Sequence, residues 1–344
     1  MLKKASLIVL LMLCGGLKLG AQSNVPVISG GLQYESTTAG GVTTMQPVIQ
    51  PVVLIPIGDH WLIESRATFD EFIFREDGDS GPYHALTFST LDYLQLDYIA
   101  NPHLTISVGR FLTPFGIFNE RLSPVWLRNF QDVPLILPIG TLTSASSDGA
   151  MVRGSLISRK DLELNYTAYF SALSTSTTNK FEAGRAAGGR VGVFLPQARL
   201  EIGMSYQKLL EDQRQNSVGV HFAWQPYRAP LDIKGEYAHS RNGQGYWAEA
   251  GYRFSQFRGE DSWSGRLQAI GRVQQFERGT FSPIDGLPGA DTRQVDFGLN
   301  YYLPHNVRLN TSYGRQFSPL GNSNIWNFEV TYRFLSPLIP GGSN

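Results

Sequence analysis

Along most of this chain apolar and polar residues alternate one by one. From Arg199 to Tyr206, Leu200, Ile202, Met204 and Tyr206 share one face, while Arg199, Glu201, Gly203 and Ser205 share the other. Val218, Val220, Phe222 and Trp224 alternate with Gly219, His221, Ala223 and Gln225. Trp326, Phe328, Val330, Tyr332 and Phe334 alternate in the same way with Asn327, Glu329, Thr331 and Arg333. A period of two belongs to β-strands, whose side chains point to opposite faces in turn. The pattern predicts sixteen strands, at 25–36, 43–57, 61–74, 84–99, 103–111, 148–158, 161–172, 186–195, 198–208, 215–225, 231–241, 245–255, 262–276, 292–302, 306–316 and 325–334.

The connections carry a second regularity. After even-numbered segments they are mostly short, as at Gly58–His60, Asn101-Pro102, Arg159-Lys160, Pro196-Gln197 and Pro304-His305. After odd-numbered segments they are usually longer and rich in Gly, Ser, Thr, Asn and Asp: Glu76 to Tyr83, Leu173 to Arg185, Leu209 to Arg214, Glu277 to Asp291 and Ser318 to Asn324. A long turn around Ser255–Asp261 and a short one at Asn242–Gly245 depart from the rule. Long and short connections on opposite ends are expected of a transmembrane β-barrel.

Alternation by itself fits a soluble sandwich as well. Three features favour lipid. The segments reach the ~9–11 residues that a tilted strand needs to cross hydrocarbon, whereas globular strands run to about 5–6. Their apolar faces carry aromatics such as Trp61, Tyr98, Tyr206, Trp224, Tyr237, Tyr252 and Tyr301, which suit membrane interfaces. The opposite faces are polar and keep their register from strand to strand, as a wet lumen requires. A closed antiparallel barrel also satisfies every backbone polar group without presenting an edge to lipid.

One stretch breaks the pattern. From Gly109 to Gly154 alternation nearly disappears, and apolar runs such as Pro134–Pro138 are interleaved with Arg110, Glu120, Arg121, Arg128 and Asp132.

The first 21 residues read as an export signal, with Lys3 and Lys4, an apolar core from Leu7 to Leu13, and Gly20-Ala21 before Gln22. Met12-Leu13 before Cys14 argue against a lipoprotein site. Removal of the signal takes away the single Cys and Lys3, Lys4 and Lys18. That leaves 29 − 3 = 26 basic residues against 29 acidic ones. A mature chain of that composition has neither a disulfide framework nor a thiolate metal site. It also lacks the basic footprint of a nucleic-acid binder.

Three local motifs resemble the outer-membrane porins, most nearly the phosphate-selective porin O/P superfamily and its uncharacterised relatives. They are Val108-Gly109-Arg110-Phe111-Leu112-Thr113-Pro114-Phe115-Gly116, the stretch Ser146 to Gly154, and the aromatic-ended Trp326 to Phe334. The resemblance implies an all-β fold: a closed antiparallel transmembrane barrel of sixteen strands, whose long third loop folds into the lumen. It also implies a homotrimer and a final strand read by barrel-assembly machinery. Two features depart from that pattern. Phe334 is followed by a tail, Leu335 to Asn344. The phosphate-selective members are lined by lysines, whereas here only Lys160, Lys180, Lys208 and Lys234 follow the signal, so phosphate specificity is not carried over.

The polar faces hold Arg66, Arg153, Arg190, Arg199, Lys234, Arg253, Arg266, Arg272, Arg308 and Arg333. They also hold Glu64, Asp70, Asp97, Glu163, Glu201, Asp232, Glu236, Glu249, Asp296 and Glu329. Equal numbers of each sign give no selectivity by count; only their segregation in space creates a field. Most of these side chains read equally well as solvated, mutually neutralising wall charges. For the constriction the candidates are Arg110, Glu120, Arg121, Arg128 and Asp132, whose alternative role is to pin the loop to the wall. Ser123-Pro124 before Val125–Asn129 reads as a helix start, with Ser as cap and Pro at the first helical position. Such a helix presents Trp126 to the wall and Arg128 to the lumen. Pro114, Gly116, Pro134 and Pro138 set the loop's path.

Chemistry is poorly represented. Gly-x-Ser-x-Gly and His-Glu-x-x-His are both missing from the sequence, and the acidic run Glu76 to Gly81 lacks full calcium-loop spacing. No cofactor or metal is expected. The sequence thus points to a bacterial outer-membrane porin, placed in a lipid bilayer and passing small hydrophilic solutes or ions. The alternatives are a barrel enzyme of lipase or protease type and a non-conducting surface barrel.

Overall fold

The structure is a computed structural model. It describes residues 25–75, 81–137, 145–172, 185–210, 215–255, 259, 262–280 and 287–338. The export signal with Cys14, most of the Glu76–Gly81 run, Lys180, Pro138 and the last residues of the tail lie outside the described residues.

Sixteen strands form: β1 Val27–Ala39, β2 Val42–Ile57, β3 Trp61–Arg75, β4 Tyr83–Asn101, β5 Leu104–Leu112, β6 Ser146–Ser158, β7 Glu163–Ser171, β8 Ala186–Leu195, β9 Leu200–Leu209, β10 Asn216–Trp224, β11 Leu231–Ser240, β12 Gly243–Arg253, β13 Leu267–Arg278, β14 Thr292–Leu303, β15 Val307–Phe317 and β16 Ser323–Pro337. Each pairs antiparallel with its sequence neighbours, and β1 pairs with β16 to close the barrel. Alternation fixes the register, because a slip by one residue exchanges the two faces.

The apolar face points outward: Ile202, Met204 and Tyr206 are exposed, while their neighbours Ser205 and Gln207 are buried inside. Outward aromatics gather near the strand ends. At the short-turn end Trp61 and Tyr98 stack with centroids 4.7 Å apart, and the Trp224 indole donates to the Ala198 carbonyl at 3.1 Å. Toward the other end the hydroxyls of Tyr206, Tyr237 and Tyr313 donate to Asn216, Gln244 and Asn324. Each ring keeps its apolar body against the wall and its polar handle at the interface.

Most boundaries shift by one to three residues from the sequence reading, and two of the differences have a visible cause. β13 starts at Leu267 rather than 262, because the Ser262 side chain organises a turn: its hydroxyl donates to Gly259 O and accepts from Gly265 N. Arg266, expected in the wall, therefore lies in that turn. β16 does not end at Phe334. Leu335 to Pro337 continue it, paired with Ser29 to Val27, so the expected tail begins inside the closing seam. The β1–β2 connection is a two-residue turn, Gly40-Gly41, with φ of +58° and +85°; such a tight hairpin needs positive φ at both positions, which glycine supplies.

Candidate functional site

Between β5 and β6 the chain leaves the wall from 113 to 145. Its ends are fastened side by side, with the Thr113 and Ser147 hydroxyls 2.9 Å apart and the Asn119 amide donating to Thr113 O and Ala145 O. At Gly116 the chain turns with φ +64°, and the Glu236 carboxylate occupies the space a Cβ would need. Gly116 N–H donates to Ser205 Oγ at 3.0 Å, and Arg190 donates to Gly116 O at 2.6 Å. One π-helical turn follows, Phe118–Leu122. Its leading amides have no intrahelical acceptor. Glu236 Oε1, from β11, accepts both the Ile117 and Phe118 N–H groups.

Onward from that turn, the loop meets wall after wall. Glu120 pairs with Arg190 of β8 and Arg121 with Glu201 of β9, each at 2.5 Å. Ser123 Oγ accepts from Arg66 of β3, which also pairs with Asp92 of β4 at 2.7 Å. Val125 N–H donates to Gln50 of β2, and Trp126 lies over Gly31 of β1. Asn129 donates to Glu249 of β12 at 2.8 Å; its carbonyl accepts from Asn310 of β15 at 2.8 Å. Gln131 bonds Asn310, Asp132 pairs with Arg272 of β13, and Leu135 N–H donates to Gln274. Phe115, Phe118 and Ile136 pack against Ala238, Trp247 and Phe276. Partners drawn from β1 to β3 and from β8 to β15 of one closed barrel can all be reached only from within it. The loop crosses the lumen.

The helix expected after Ser123 does not form. The Ser123 hydroxyl accepts from Arg66 instead of capping, and its carbonyl accepts twice from the Arg128 guanidinium, at 2.9 and 2.6 Å. That carbonyl is the one an α-helix would give to the amide four residues on, so only a tight turn remains, Leu127 N–H to Pro124 O. Arg128 accordingly folds back on its own loop, with a third bond to Gln131 O, rather than reaching into open lumen.

Arg110 requires a correction. β5 continues to Leu112 with Ser107 and Phe111 fully buried inside, so Arg110 points outward. It lies between Leu94 and Asp148 in register, with Asp148 at 3.8 Å. It is not a lumenal charge. Glu120, Arg121, Arg128 and Asp132 do belong to the crossing loop. Arg66, Arg153, Arg190, Lys234, Arg272 and Arg308 project inward from strands; Arg253 stands at the short-turn end of β12, its guanidinium 4.1 Å from the Tyr302 ring centre.

The burial of these groups is uneven. Arg272 is 1% exposed, held by Asp132 and Asp296, and Arg308 is 8% exposed, held by Glu329. Lys234 sits between Asp232 and Glu249 at 2.9 and 3.2 Å. By contrast the Arg121 side chain is 45% exposed and that of Arg153 is 38% exposed. Sequence reasoning missed the neutral clamps Gln50, Asn129, Gln131, Asn300 and Asn310, since amides carry no periodic signal. It also missed Asp92, which a β-bulge between Arg66 and Ala67 turns inward.

No family model matches the chain, and no curated protein matches it. Among solved structures it is similar to OmpF of Salmonella typhi, determined in complex with daunomycin, at 16% identity and TM-score 0.59 over 90% of this chain and 97% of that one. It is similar to a mutant of the Rh. blastica porin at 12% identity and TM-score 0.54, over 90% and 100% of the two chains. It is also similar to OccK5 (OpdH) of Pseudomonas aeruginosa at 11% identity and TM-score 0.53, over 91% and 98%. At such identities the likeness is one of fold: this chain has the closed-barrel architecture of the bacterial porins.

Proposed function

We propose that the chain is an outer-membrane porin: a water-filled channel for passive diffusion of small hydrophilic solutes or ions, narrowed by its third loop. The observation that carries this reading is the crossing loop, fastened to strands β1 to β3 and β8 to β15, on which Arg121 keeps 45% of its side chain exposed, while Arg153 of the wall keeps 38% of its own exposed. Glu120, Arg121 and Asp132 are the constriction residues on this reading, while Arg128 holds the loop's own turn; Arg66, Arg153, Arg190, Lys234, Arg272 and Arg308 are the wall charges. Kinship with the phosphate-selective O/P group rests on local motifs, and no phosphate specificity is proposed. A homotrimer and recognition of β16 by barrel-assembly machinery belong to the same proposal, supported by the resemblance of the motifs.

A non-catalytic role fits a histidine that meets a lumenal carboxylate. His221 lies 3.5 Å from Glu201 but is buried against Gly203, out of reach of solute. The test is single-channel recording of the purified protein in a planar bilayer. Discrete conductance steps are expected, and deletion of Ile117 to Leu137 should enlarge them. Silence under conditions where a known porin conducts refutes the channel; unchanged steps in a folded deletion variant refute the constriction.

A further inference from the structure

We infer that the inner face of the β3–β4 hairpin binds small amphiphilic cations at the channel mouth, with the ammonium on Asp70 and the apolar body on Phe72, Leu86 and Phe88. The inference rests on the diffusion-channel reading for the water over this face and adds a class of solute to it.

The lower wall turns apolar side chains outward and polar ones inward. Above the β3–β4 bulge the inner face of the hairpin becomes apolar instead. Asp70 faces inward: its register partner on β2, Val48, is 5% exposed, and Gln46 donates to its carboxylate at 3.2 Å. Two residues on, Phe72 shares that face, since side chains alternate along a strand. Across the ladder Phe88 stands opposite Asp70, and Leu86 opposite Phe72. The outer face meanwhile takes on Glu71, Thr87 and Ser89, where β4 lower down shows Leu91, Leu94 and Leu96.

This apolar face is open. Leu86 is 51% exposed and Phe88 41%, and the Phe72 and Phe88 rings meet edge to face with centroids 5.6 Å apart. β5 pairs with β4 only as far as Leu94 opposite Arg110, so among the described residues no strand flanks the hairpin on that side. Apolar side chains gathered in water mark a place where another apolar group docks.

The neighbouring charge selects the ligand. Among the described residues Asp70 has no cationic partner; Gln46 is a neutral donor to its Oδ2 and leaves the negative charge standing. Asp92, the inward acid lower on β4, is by contrast paired with Arg66 at 2.7 Å. Directly opposed residues have Cβ atoms about 5 Å apart, which places Phe88 beside the carboxylate. Phe72 follows about 7 Å along the strand. An ammonium held by Asp70 therefore has aromatic rings within the ~6 Å over which they attract a cation. Anions are repelled, and a neutral apolar molecule gains the rings alone. The face favours a molecule that carries both groups.

The test is block of the KCl current through single channels of the full chain by phenethylammonium, whose ring and ammonium are two methylenes apart. Ethylammonium supplies the head alone and phenethyl alcohol the body alone. An exposed ion pair or ring contact changes affinity about two- to fivefold. Asp70→Asn and Phe88→Ser should each raise the half-blocking concentration of phenethylammonium by that factor, and Asp70→Asn should leave phenethyl alcohol unaffected. Saturation-transfer NMR on the protein in nanodiscs reads the same contact without conductance; the signal on the phenethylammonium ring should fall in Phe88→Ser. Equal block by ethylammonium, or a half-blocking concentration unchanged in both variants, overturns the inference and leaves the diffusion reading intact. A silent protein whose ring signal still depends on Phe88 overturns the diffusion reading alone. A silent protein with no such dependence overturns both.

Discussion

Glu236 is the position where a single substitution most directly tests how the crossing loop is held. Its Oε1 accepts the Ile117 and Phe118 N–H groups, its Oε2 accepts the Trp247 indole at 3.3 Å, and the residue is 6% exposed, so water does not screen these bonds. Glu236→Gln keeps the shape and one carbonyl oxygen for the Ile117 and Phe118 amides, but turns those two charge-assisted bonds into neutral ones and sets an NH2 donor against the Trp247 N–H, whose long bond is lost. Bonds to charged groups contribute about 1.5–3 kcal/mol and neutral ones about 0.5–1.5, so the two together lose about 2 kcal/mol. A carboxamide is cheaper to bury than a carboxylate, which returns part of that and leaves about 1–2 kcal/mol. At about 1.4 kcal/mol per decade, the undocked loop becomes roughly five- to thirtyfold more populated. Glu236→Ala goes further, leaving two buried amides without acceptors at about 1–3 kcal/mol each. The readout is open-channel noise and the fraction of time spent in a larger conducting state, with circular dichroism confirming the barrel. The expected order is wild type, Gln, then Ala. If both variants fold and gate like the parent, Glu236 does not hold the loop and the reasoning fails.

Two more substitutions probe the same arrangement. Arg272→Met removes the shared partner of Asp132 and Asp296 from a site 1% exposed; breaking a buried pair costs about 3–5 kcal/mol, so the urea midpoint in detergent should fall. Adding Asp296→Asn should recover part of the loss, and an unchanged midpoint in Arg272→Met alone contradicts the account. Gly116→Ala places a side chain at φ +64° against the Glu236 carboxylate. It should cost about 1–3 kcal/mol and reproduce the noise of Glu236→Gln. Combining the two should give less than the sum, because they disturb one contact; strict additivity would separate them.

The wall was legible because lipid and water impose opposite demands on successive residues. Sixteen alternating stretches therefore became sixteen strands, and the long and short connections fell on opposite ends as their composition predicted. Legibility failed where something other than alternation set the geometry. The first turn residues before β13 look like strand, yet a serine hydroxyl folds them into a turn. The bulge in the β3–β4 ladder reverses the parity of the residues beyond it, so Asp92 went unrecognised as a lumenal charge.

The loop was harder for a different reason. Its charged residues could be named from the sequence, but not their partners, because those come from strands far away along the chain: Arg121 finds Glu201, and Asp132 finds Arg272. Arg110 shows how local the distinction can be. One residue nearer the loop, Phe111 is buried in the lumen wall, while Arg110 points the other way beside Leu94. The same loss of distance information hid how deeply each charge is buried. The sequence contains equal numbers of inward acids and bases, which predicts a neutral lumen. Only the fold shows that Arg272 and Asp296 are nearly sealed from water, while Arg121 and Arg153 keep 45% and 38% of their side chains exposed. Composition therefore cannot set the selectivity of such a channel. The depth to which each charge and its partner are buried does.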